Sequence, residues 1–220
     1  MKSILATIAI VALLVGGLYF WMFPGALSGL FGGAKSEPEK PLIPVDTRST
    51  YASTTLGLSL RYPQQYALDE SYAYDAFGQN KLINGVKFSV PASMATGTNL
   101  SSDSYVSVEW LPRALKCTGD IYLKSATSSV SITEGGVKYL LAKQTGAAAG
   151  NIYEEWVYAI ENSTPCTALR YFIHSTNIGN YATGTVQAFN KTSLIADFDQ
   201  IRRSLQLGSA PAATTTSTQP

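Results

Sequence analysis

The chain has 220 residues, a net charge of +1 and only 14% charged residues, against about 25% in an ordinary soluble domain. No basic run is present, which argues against nucleic acid as a partner. One histidine and two cysteines, with no CxxC spacing, leave a zinc site short of ligands.

The first element is an apolar run, Ile4 to Phe23, of twenty residues without a charge. As a helix it is about 30 Å long, the thickness of a bilayer's hydrocarbon core. Tyr19 and Trp21 stand near its far end, where amphipathic rings favour the headgroups, and Pro24 stops the helix. The competing reading is a cleaved secretory signal, with Ala26-Leu27-Ser28 as small residues at the cleavage position. A signal core usually holds about 7–15 residues, so residues 1–24 are read as a single-pass anchor. The rest of the chain is then extracytoplasmic; secretion after cleavage is the alternative.

Residues 25–50 form a Pro/Gly-rich linker, with Pro38, Pro41 and Pro44 favouring an extended spacer. Residues 51–207 form one globular domain, long enough to bury its own core. The Ala/Thr/Ser/Pro tail, 208–220, is expected to be disordered.

Within the domain the main period is two. Leu56, Leu58, Leu60 and Tyr62 alternate with polar or small residues and stop at Pro63. Val86, Phe88 and Val90 stop at Pro91; Val106, Val108 and Trp110 stop at Pro112. Asp120 to Ser125 reads as a short helix. Residues 129–133 lead through Gly135-Gly136, good chemistry for a tight turn, into 137–145. A small-residue loop at 146–150 precedes 152–160, and 162–165 turns the chain into 166–175. These last strands are expected to form an antiparallel meander. Leu194, Phe198, Ile201 and Leu205 recur at helical spacing, with Thr192 or Ser193 as cap. Residues 204–207 return as a short strand.

Cys117 and Cys166 both fall inside the domain. In an oxidising extracytoplasmic compartment they are expected to form a disulfide. Closing a loop of about 50 residues stabilises the fold by about 4 kcal/mol in the chain-entropy model.

Two segments carry a family resemblance. Gly57-Leu58-Ser59-Leu60-Arg61-Tyr62-Pro63-Gln64-Gln65-Tyr66 resembles the opening strand of PsbP-like domains, with Tyr66 where that pattern prefers Trp. Phe198-Asp199-Gln200-Ile201-Arg202-Arg203-Ser204-Leu205 resembles their last helix running into a short strand. PsbP is an extrinsic subunit of photosystem II, and bacterial envelope proteins share its fold. The resemblance implies an α+β domain: a central antiparallel sheet with a C-terminal helix packed on one face, here preceded by one transmembrane helix. No residue matches a family catalytic motif, and fold does not set function.

Chemistry is sparse. A Ser-His-Asp hydrolase would have to use His174, which shares a strand face with Arg170 and Phe172, and no G-x-S-x-G supplies a nucleophile elbow. Glu154 and Glu155 point to opposite faces of a strand. No calcium or phosphate loop is present, and neither metal nor cofactor is expected. Tyr66, Tyr72, Tyr74 and Phe77 lie among Asp69, Glu70 and Asp75, a combination suited to sugars or peptides; covering the edge of the core is their ordinary role. The leading expectation is a non-catalytic interaction or assembly module with an envelope protein partner. The alternatives are a small-ligand or glycan-binding domain using those aromatics, and a hydrolase built on His174.

Overall fold

The structure, a computed structural model, describes residues 47–208 apart from 55, 56 and 127. The expected membrane span at Ile4–Phe23, nearly all of the linker and the tail beyond Gly208 lie outside the described residues. Among the described residues no helix is long and apolar enough to cross a membrane.

Eleven strands are described: β1 Arg48–Ser53, β2 Leu58–Pro63, β3 Ala67–Asp69, β4 Ala73–Tyr74, β5 Ile83–Ser89, β6 Tyr105–Leu111, β7 Val130–Glu134, β8 Val137–Ala148, β9 Asn151–Ile160, β10 Cys166–Thr176 and β11 Gln206–Leu207. The main sheet has the order β3-β5-β6-β10-β9-β8-β7, with β4 also paired to β5, and a smaller sheet has the order β1-β2-β11. Every strand pairing is antiparallel. The expected meander is present as β7 to β10.

Several elements differ from the sequence reading. β1 begins at Arg48, inside the stretch read as linker, because it pairs residue for residue with β2. The opening strand β2 therefore belongs to the small sheet and not to the central one. The small-residue loop at 146–150 is mostly strand: β8 runs to Ala148, and the turn is Ala149-Gly150, both at positive φ. Pairing of Gly146, Ala147 and Ala148 with Tyr153, Ile152 and Asn151 overrides their weak strand preference. The Asp120–Ser125 helix is a 3-10 turn at Gly119–Tyr122.

The C-terminal helix, Lys191–Arg203, buries Leu194, Phe198 and Ile201. Its cap is Asn190, whose side chain accepts from the Ser193 backbone N–H at 3.0 Å. Neither Thr192 nor Ser193 fills that place, because the helix starts earlier than the apolar period shows. Helix and small sheet together cover one face of the main sheet, around Phe88, Val106, Val108, Leu169, Tyr171 and Ile173.

The other face is also covered over part of its area. Tyr74, Ile83, Tyr122 and Leu123 pack there on Ala142, Val157, Ala159 and Ala168. This second layer explains why residues 105–109 of β6 and 166–171 of β10 are buried on both faces, although alternation alone would leave one side wet.

Candidate docking surface

β6 ends at Leu111 because Pro112 has no N–H to donate to a further ladder bond. The chain then makes a short loop and is fastened again at Cys117. The structure joins Cys117 to Cys166 in a disulfide, with Cα atoms 5.1 Å apart, a normal span for the bond. Cys166 opens β10 and faces Leu111 in the strand register, so the loop is tied at both ends to one corner of the sheet.

The next residues lock that corner. Gly119 lies so close to β8 and β9 that an added Cβ would meet Ala142 N and Val157 O at 2.6 Å and Leu140 O at 2.7 Å. Only glycine fits such an approach. Tyr122 is fully buried and donates its hydroxyl to the Cys166 carbonyl at 2.7 Å.

The loop's tip stands clear of this base. Leu115 is 101% exposed, as open as a side chain in an extended peptide, and Leu82 on the neighbouring segment is 48% exposed. Between them lies a hollow of about 1070 Å³, walled by Leu82, Leu111, Pro112, Leu115 and Ile121. Arg113 and Lys116 also line it, and both are exposed. Neither of these cations has an ion-pair partner among the described residues. Apolar side chains scattered singly on a surface are ordinary; an exposed apolar patch with a polar rim marks a contact site.

The residues singled out for ligand binding lie elsewhere. Tyr66 is buried, packed edge-on against Phe198 under the C-terminal helix. Tyr74 is buried, its ring under the Arg170 guanidinium at 3.6 Å and its hydroxyl donating to Glu155. Tyr72 is half-buried and shares hydroxyl bonds with Tyr105 at 2.8 Å and Glu109 at 3.1 Å. Phe77 packs edge-on against Tyr74. These rings face inward and line no part of the hollow, so the glycan reading loses its common exposed face. Burial pushes the Tyr72 hydroxyl up, and the Glu109 charge pushes it further the same way.

Beneath Tyr72 and Tyr74 lies a charged centre that sequence reasoning did not find. Arg170 and Glu109 are each 0% exposed. Arg170 holds Glu109 through Nε and Nη2 at 2.8 and 2.9 Å, bonds Glu155 through Nη1, and donates to the Tyr122 carbonyl at 2.8 Å. Burial alone would push the guanidinium down; the Glu109 and Glu155 charges outweigh it and hold Arg170 above its ordinary value. Ser107 completes Glu109 at 2.8 Å, and Gln144 completes Glu155 at 2.7 Å. The partners are engaged with one another and the centre is closed, so it organises the fold. The register of β6, β9 and β10 places these residues together, and periodicity carries no trace of it.

Among the described residues no serine or cysteine bonds the His174 ring. Its Nδ1 is 2.8 Å from Asp103, its ring stacks on Tyr153, and its Nε2 has no hydrogen-bond partner among the described residues. Ser104 engages the backbone of His174 and not its ring. Among the described residues no group of three or more His, Cys, Asp or Glu could hold a metal ion.

No protein-family model matches this chain, and no curated protein matches it. Among solved structures, a Bacteroides thetaiotaomicron protein is 11% identical with a TM-score of 0.39; the match covers 74% of this chain and 49% of that one, about half its length. A cyanobacterial PsbP from Synechocystis is 14% identical with a TM-score of 0.41, covering 76% of this chain and 96% of that one. Both TM-scores are below 0.5, and neither likeness bears on function. The described residues themselves show the expected architecture, a multi-strand antiparallel sheet with a C-terminal helix packed on one face.

Proposed function

We propose that this chain is a non-catalytic docking module, held at a membrane by its N-terminal apolar run, with the folded domain outside the cytoplasm. The disulfide supports that side of the membrane, since such bonds persist in oxidising compartments. The observation that carries the docking reading is Leu115, fully exposed beside an apolar hollow on a loop tied at both ends. A loop already held in place loses little conformational freedom on binding.

Hydroxyl-radical footprinting of the full-length protein tests this. Oxidation at Pro112 and Leu115 is expected to fall in native membranes relative to detergent-purified protein. Val130, 66% exposed on the edge strand β7, serves as the unprotected control. Equal oxidation of Leu115 in both states would remove the reading.

A further inference from the structure

Resting on that docking reading, we propose that the hollow and its rim seat on the surface of an anionic phospholipid bilayer. Two apolar tips project at this corner, and each stands beside a cation in the chain: Lys81 precedes Leu82, and Arg113 and Lys116 flank Leu115. All three cations are exposed. An apolar side chain at the level of a Lys or Arg suits the bilayer interface. The leucines enter the acyl boundary while the cations remain among the phosphates, their stems lying along the apolar surface.

The local charge is one-sided. No acid lines the hollow. Of the acids near it in the chain, Glu109 is held by Arg170, while Asp120, which accepts from Ser129 at 2.6 Å, and the exposed Asp75 keep their charge outside the lining. The lining itself therefore offers an anionic partner two cations and no carboxylate. The expected span at Ile4–Phe23 would keep the domain within reach of a bilayer throughout.

The test uses full-length protein in phosphatidylcholine vesicles with and without phosphatidylglycerol. An apolar fluorescent amino acid replaces Leu115, and spin-labelled lipid acts as quencher. Quenching is expected with phosphatidylglycerol and not without it. Arg113→Gln and Lys116→Gln should each lower the ratio of docked to free domain about fivefold, the factor carried by one cation near an anionic surface. Raised salt should act in the same direction. Equal quenching in the two vesicle types, or none in either, overturns the proposal. Should Leu115 be shielded in native membranes yet unquenched on anionic vesicles, the docking reading stands and its occupant is a protein. With shielding in neither, both fall.

Discussion

Arg170→Met removes the one cation of the buried centre while nearly keeping its volume. The cavity contribution is then small, and the cost lies in the two carboxylates left behind. Glu109 would retain Ser107 at 2.8 Å and Tyr72 at 3.1 Å; Glu155 would retain Tyr74 at 3.0 Å and Gln144 at 2.7 Å. Neutral donors only partly replace a guanidinium that met Glu109 with two parallel bonds. Removing one partner of a buried ion pair typically costs about 3–5 kcal/mol. For a domain of this size that corresponds to a Tm lower by about 6–20 °C. Equilibrium denaturation and calorimetry read the loss. The triple variant R170M/E109Q/E155Q removes the buried charge of both signs and should recover more than half of it. A single variant within about 0.5 kcal/mol of the native protein, the range of an ordinary surface substitution, would refute the reasoning. So would a triple variant less stable than the single one.

Three further outcomes follow from local geometry. Gly119→Ala places a Cβ against three backbone atoms at 2.6–2.7 Å that cannot rotate away, and should cost about 3 kcal/mol, the upper end for overpacking; Gly146→Ala, which meets nothing within 4 Å, should change stability by less than about 0.5 kcal/mol. Replacing both Cys117 and Cys166 with serine should cost about 2–4 kcal/mol in chemical denaturation, and natively exported protein should show no free thiol by alkylation and intact mass. Glu134 accepts from Arg202 at 2.7 Å and from Arg203 at 3.1 Å. The Arg202 hydrogen bond, then that of Arg203, holds its carboxyl below the ordinary value of 4.5. Because the folded value is the lower one, the unfolded chain binds the extra proton. This stabilisation is present above the ordinary value and lost as pH falls through the folded one. Glu134→Gln should therefore cost about 0.5–1 kcal/mol at neutral pH, the size of a partly exposed ion pair. Its gap from the native protein should close in acid; a gap that widens there would contradict the assignment.

The hollow shows how far local pattern reaches. Leu111 to Cys117 reads as strand end, proline stop and loop, and each of those is present. That Leu115 stands fully clear of the protein depends on the clip to Cys166 and on Gly119 pressing against β8 and β9. Those contacts join residues tens of positions apart. The four aromatics of 66–77 illustrate the reverse case. Their composition suits a ligand, but their direction is set by the layer they close.

Short-range chemistry by itself determined most of the element positions. Prolines 63 and 112 end β2 and β6; Gly135-Gly136 turns β7 into β8; the 3.6-residue apolar period marks the C-terminal helix. Each rests on neighbours a few residues apart, so a linear reading finds it. Only the tertiary structure decided which faces are dry. Glu109 and Arg170 sit where alternation on β6 and β10 reads as polar and outward, yet both are fully buried, because the layer of Tyr74, Tyr122 and Leu123 covers that side too. Period two separates a strand's faces but does not say what packs on each. That is settled by register between distant strands and by the segments that return to cover them.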